Sequence, residues 1–232
     1  MRQVDRASSV SINVVHGLLD LIEQSSDSSA AVARALRLDF QHNAHAESLP
    51  RATIYRLCEL ALEHTRDPAL GLHWSVDAGA SAFSPLSHLI AHAPTLRHAL
   101  EALTQLHPLF SQQSSFRFIE SDDKVTLQSY RLSGTSLFVQ RFAAELTVAG
   151  VFRIVRLYEP RARPQRVCFQ HRAPAYEAEY AKLFHSQVCF EQAFSGLVLE
   201  RTVLDAVSPH KDVDVFDALC TVARRHPKIS LI

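Results

Sequence analysis

The sequence predicts an α+β fold: a helical amino-terminal half, then a small antiparallel sheet of about four to five strands with packed helices. Three observations predict it. Apolar residues recur at helical spacing up to residue 110. The alternation then changes to every second residue between Ser115 and Tyr130. The later apolar runs are short, hairpin-linked and separated by helical stretches, which favours antiparallel pairing.

The elements follow in order. Val10 to Gln24 places Val10, Val14, Leu18, Leu21 and Ile22 in one helical stripe. Asp27 can cap a second helix, Ala30 to Leu38, by accepting an orphan amide hydrogen bond. Gln41 to Ser48 is a polar loop. Pro50 suits a first helical turn, and Ile54, Leu57, Leu60, Ala61 and His64 follow at helical spacing. Asp67-Pro68 is a turn leading into a short helix through Trp74. Asp77 to Ser84 is a small-residue, flexible loop, and Pro85 to Ala93 a helix halted by Pro94. Thr95 caps the next helix, whose face carries Leu96, Leu100, Leu103, His107 and Phe110; Pro108 should distort its last turn.

Ser115 to Glu120 and Lys124 to Tyr130 form a hairpin around Ser121-Asp122-Asp123. The longest helix runs from Leu137 to Tyr158 and is closed by Pro160. Val167 to Phe169 is a strand, Pro174 to Phe184 a helix, and Val188 to Phe190 and Leu197 to Leu199 two more strands. A last helix, Val213 to Arg225, ends before Pro227. The domain plan is one unit over 1–212, helical over 9–110 and α+β over 111–212, with 213–232 beginning a linker helix.

Composition bounds the function. The 232 residues, 47% hydrophobic and 21% charged, suffice for a sizeable core and exclude wholesale disorder. Lys+Arg and Asp+Glu are equal at 24 each, which does not suit a chain that grips nucleic acid along its length. No apolar run is long enough to span a bilayer, and Asn13, His16 and Asp20 interrupt the start where a secretory signal would be apolar. Cys58, Cys168, Cys189 and Cys220 are scattered without a C-x-x-C pair, as expected of reduced thiols in the cytoplasm. Six glycines, and neither GxGxxG nor GxxxxGK[ST], argue against a glycine-rich nucleotide loop. There is no GxSxG elbow, so no catalytic residue is assigned.

Two regions invite a ligand. Trp74 and Phe83 bracket the small-residue loop, which can gate a pocket, and Tyr130 can add a hydroxyl; each aromatic alternatively belongs to the core. On the long helix, Arg141, Glu145, Arg153 and Arg156 fall within roughly a third of the circumference. Phe138, Phe142 and Phe152 share that sector. Such a sector meets a ligand, meets a second subunit, or is a buried seam between helix and sheet. His88 and His92, four apart, share a helix face and suit a shared zinc ion, but no HExxH glutamate accompanies them. No metal or cofactor is expected.

Four segments resemble one family. They are Asp67-Pro68-Ala69-Leu70-Gly71-Leu72; Phe83-Ser84-Pro85-Leu86 through Ala93-Pro94-Thr95-Leu96 to Ala99-Leu100; Phe169 to Pro174 with Tyr180 and Phe184; and Val188-Cys189-Phe190 through Phe194-Ser195-Gly196-Leu197 to Leu204. In order and spacing they resemble the amino-terminal effector domain of AraC/XylS-type transcriptional regulators. More narrowly, they look like the "arabinose-binding domain" type found in ornithine- and arginine-responsive regulators. The resemblance implies a bacterial, cytoplasmic homodimer that binds a small-molecule effector between helices and sheet and is not an enzyme.

On that basis Trp74, Phe83, His88, Tyr130, Phe138, Phe142 and Glu145 are the expected ligand-binding residues. Arg141, Phe152, Arg153 and Arg156 are the expected dimer interface. Family members continue for about 100 residues into two helix-turn-helix units that read DNA. Here 20 residues follow Asp212, so operator binding is expected only through a domain outside this stretch. The alternatives are a small zinc hydrolase built on His88 and His92, and a ligand-free interaction module.

Overall fold

The computed structural model describes residues 12–23, 34, 51–77, 86–110, 114–131 and 137–225. Helices α1 (Ile12–Glu23), α2 (Arg51–Thr65), α3 (Leu70–Asp77), α4 (Leu86–His92) and α5 (Leu96–Phe110) come first. The hairpin β1 (Ser114–Glu120) and β2 (Lys124–Arg131) leads to the long helix α6 (Leu137–Tyr158). Then follow β3 (Arg166–Cys168), α7 (Glu177–Phe184), β4 (Val188–Cys189), β5 (Ser195–Glu200), a 3-10 turn (Arg201–Asp205) and α8 (Val213–Arg225).

The fold is α+β as expected, and α6 and α8 begin and end where their apolar periodicity does. α7 starts at Glu177, three residues later than expected, because Pro174 to Tyr176 close a turn in which the Glu177 amide donates to the Pro174 carbonyl at 3.1 Å. The helix containing Pro108 continues to Phe110. Of the helix expected at 30–38 only Arg34 is described, and it is helical; the loop expected at 41–48 lies outside the described residues, as does the loop expected at 77–84 except for Asp77, which ends α3. No described helix is long and apolar enough to cross a membrane.

The sheet order is β1-β2-β5-β3-β4. Pairs β1–β2, β2–β5 and β5–β3 are antiparallel, with Phe118 opposite Leu127, Leu127 opposite Leu197 and Val167 opposite Leu197. The expectation of a wholly antiparallel sheet is corrected at one edge, where β3 and β4 run parallel, Val167 beside Val188. The cause is α7, which lies in the β3–β4 connection and returns the chain so that β4 starts at the same end as β3. Central β5 is buried through Leu199, a strand covered on both faces. Gly196 permits its closeness to β2, because a Cβ there would meet the Leu127 carbonyl oxygen at 2.0 Å.

Two hydrophobic clusters share α6. The larger joins the sheet to α4, α5, α7 and α8 through residues such as Leu100, Phe152, Phe169, Phe184 and Phe216. The smaller is a helical cap: Leu18, Leu19 and Ile22 of α1 and Leu57 and Ala61 of α2 pack with Leu70, Trp74, Phe142 and Leu146. The end of α4 is satisfied from elsewhere in the chain. The Tyr158 hydroxyl donates to the Ile90 carbonyl, the Ser208 hydroxyl to that of Ala91, and the Asp212 amide to that of His92 at 3.1 Å. At the far end of β1, Glu120 takes Arg97 on both oxygens (2.5 and 2.9 Å) and Arg201 at 2.5 Å, joining α5, the hairpin and the 3-10 turn.

Candidate functional site

The first turns of α6 carry both exposed and buried chemistry. Leu137 is 83% exposed and Phe138 37%, whereas Glu145, two turns on, is 1% exposed. A carboxylate so buried needs donors, and α7 and the residue that precedes it, Tyr176, supply them. Tyr176 and Tyr180, four apart on one face, stack with their rings 6.0 Å apart. Their hydroxyls donate to the same Glu145 oxygen at 2.7 and 2.5 Å. Arg141 Nε lies 3.8 Å from that oxygen. The Arg141 guanidinium sits over two rings, 5.7 Å from the centre of Phe138 and 5.4 Å from that of Tyr176.

Burial raises the Glu145 pKa; the two tyrosine hydrogen bonds and the charge of Arg141 pull against it without cancelling it. Burial likewise pushes the phenols of Tyr176 and Tyr180 far up, aided by the adjacent carboxylate, so both stay protonated donors. Helix α3 presses on the set from behind: a Cβ on Gly71 would lie 2.6 Å from the Phe142 carbonyl oxygen and 2.7 Å from a Glu145 carboxylate oxygen.

In front lies an open groove of about 980 Å³. One wall is α6, through Leu137, Phe138, Gln140, Arg141 and Ala144; the other is the segment from Gln170 to Pro174, with Glu191 and Ser195. The Gln170 amide donates to Ser195 Oγ at 3.1 Å, fixing the segment to the start of β5. His171 Nδ1–H donates to the Arg172 carbonyl at 2.9 Å, and its Nε2 is buried without a partner among the described residues. Burial pushes the His171 pKa down, so the ring is neutral and Nε2 is an acceptor. At the rim Arg172, 90% exposed, pairs with Glu191 at 3.2 Å.

The expected site residues do not gather in one place. Phe138 and Arg141 line the groove and Glu145 lies under its floor. Phe142 and Trp74 are both buried and stack on each other, 6.3 Å apart, inside the helical cap. For Phe142 the sector is therefore a buried seam. So it is for Phe152, buried 5.3 Å from Phe184. Arg153 donates to the Ser75 carbonyl at 3.0 Å, holding α3 to α6. Arg156 is exposed, over the ring of Phe152 at 5.7 Å. Tyr130 donates its hydroxyl to Gln128 of its own strand, with Arg117 over its ring. His88 is exposed on α4, and its carbonyl accepts His92 Nδ1–H at 2.7 Å. Among the described residues no group of three or more His, Cys, Asp or Glu side chains is placed to hold a metal ion. Phe83 lies outside the described residues.

Tyr176, Tyr180, His171 and Arg172 were not singled out as site residues. The available signal was the tyrosine pair at i and i+4, two hydroxyls on one helix face with no partner nearby in sequence.

The model of one protein family, the "Arabinose-binding domain of AraC transcription regulator, N-term", matches residues 28–207. No curated protein matches the chain. A solved structure, that of the transcriptional regulator CdpR from Pseudomonas aeruginosa, is similar with a TM-score of 0.64 and 18% identity over 80% of this chain. The chain spans 61% of that protein's length.

Proposed function

The chain belongs to the family of AraC transcription regulators, as their amino-terminal arabinose-binding domain, and from that premise we propose that it senses a small-molecule effector in the groove between α6 and the 170–174 segment. The observation that carries the reading is the groove itself: an open cavity of about 980 Å³ over a buried carboxylate held by two tyrosines and faced by an arginine. Its walls come from two different elements, so a ligand touching both favours one spacing between them. Effector control requires such a difference in affinity between two states.

The proposal includes pairing of two copies in the cytoplasm and DNA contact through helix-turn-helix units outside this stretch. Of the residues expected at the dimer face, Arg156 is exposed and open to such a contact, whereas Phe152 is spent inside the protomer.

The test is native mass spectrometry of the purified chain, joined to a thermal-shift screen against a metabolite library. A small organic adduct or a shifted melting temperature is expected. Either should disappear in Ala173→Trp, which fills the groove from its exposed rim. A hit that persists in Ala173→Trp would move the effector site elsewhere, and a screen without hits would argue against sensing. The same spectra read pairing as twice 26.0 kDa.

A further inference from the structure

We infer that the groove is built for an organic acid, a carboxylate carrying an apolar body, with Arg141 as its anchor; the inference rests on reading the groove as the effector site. A guanidinium carries five N–H donors. Those of Arg141 make no hydrogen bond to any described residue: its nearest anion, Glu145, is 3.8 Å away, and that oxygen already accepts two phenolic hydroxyls. The guanidinium rests over the rings of both Phe138 and Tyr176. The side chain is thus ordered before any ligand arrives, which lowers the entropic cost of gripping a carboxylate with two parallel hydrogen bonds. Beside it the groove offers the exposed side chains of Leu137 and Phe138, together with Ala144, Ala173 and Pro174, as an apolar bed.

The other ligand classes find less. An ammonium ligand needs an unspent carboxylate, but Glu145 is 1% exposed and holds both tyrosines, and Glu191 is paired with Arg172. A neutral polyol needs several unspent polar groups. The groove offers His171 Nε2 as an acceptor, but Gln170 gives its side-chain amide to the Ala193 carbonyl at 3.2 Å and Ser195 Oγ accepts the Gln170 backbone amide, which leaves little for a ring of hydroxyls.

The experiment titrates the purified chain by calorimetry with octanoate, octanamide and octylammonium, and repeats it in Arg141→Gln, Arg141→Lys and Ala173→Trp. Octanoate is expected to bind, with the amide and the amine weaker by about tenfold or more. Arg141→Gln should weaken octanoate by a similar factor and leave the amide unchanged. Arg141→Lys, which keeps the charge and loses the fork, should fall between the two. It also decides the matter if the Gln variant does not fold. Amide or amine binding as tight as octanoate, yet lost in Ala173→Trp, would overturn the acid and leave the groove standing as the effector site. Octanoate binding indifferent to both Arg141 variants would overturn the anchor. Silence from all three probes would overturn the inference, while the adduct and library screen judges the groove separately.

Discussion

At Glu145 a buried acid is kept in place by neutral donors, and the consequence is a pH dependence of definite sign. Burial raises its folded pKa above the ordinary value of 4.5. The native state therefore holds a proton that the unfolded chain has already released, and the stability this contributes is present below pH 4.5 and lost as pH rises through the folded value. Glu145→Gln keeps an acceptor for both tyrosines and cannot titrate. The stability of wild type relative to this variant, from urea titrations, is expected to fall as pH is raised from 4.5; a pH-independent difference would refute the assignment. Behind the same carboxylate, Gly71→Ala should cost about 1–3 kcal/mol, because backbone of α6 cannot retreat from the added methyl. Equal urea midpoints for Gly71→Ala and wild type would show that α3 yields instead. The sequence placed Arg141 and Glu145 on one face, since helical spacing is local information. It could not show that Tyr176 and Tyr180, 31 and 35 residues on, would supply the donors.

The ends of elements carry as much specification as their faces. Helix α4 finishes against Pro94, and Tyr158, from the last turn of α6, donates to one of its last carbonyls inside the core. Tyr158→Phe leaves that carbonyl only the Ala93 amide, at 3.3 Å, at an expected cost of about 1 kcal/mol with little change in volume; a stability equal to wild type would mean that the Ala93 amide satisfies Ile90 alone. Glu120 works differently, as a charged knot. Arg97 and then Arg201 hold its carboxylate down to a pKa of about 2. For a depressed acid the contribution is present above pH 4.5 and lost as pH falls towards about 2. Thermal melts of Glu120→Gln should thus lie below wild type at pH 7, converge with it in acid, and converge also in high salt. A gap that persisted in acid would point to packing rather than charge. Helices α6 and α8 were legible to the residue because long amphipathic runs end abruptly at Pro160 and Pro227. The parallel β3–β4 pair was not, because strand direction depends on what α7 does in three dimensions, and two- and three-residue strands carry no sign of it.

At the scale of the whole molecule, α6 is a strut common to both hydrophobic clusters, with the groove at its first turns. Trp74, the sole tryptophan, reports on the helical cap through its stack on Phe142. Because both clusters lean on one helix, the fluorescence transition in urea is expected to coincide with the loss of far-ultraviolet circular dichroism; an earlier fluorescence transition would show the cap opening alone. The α+β class and the family resemblance were legible because they rest on periodicity and motif order. The assignment of Trp74 and Phe142 to a binding pocket was not, because an aromatic that lines a cavity and one that fills a core have the same local sequence. The position of β5 bears on how the protein is made. The central strand is the last of the described strands to leave the ribosome, so from Cys168 until Ser195 emerges β2 and β3 each present a bare edge. Until Ser195 to Glu200 emerge, the β1–β2 hairpin and the β3–β4 pair have no strand to join them, and their unpaired edges are open to other chains.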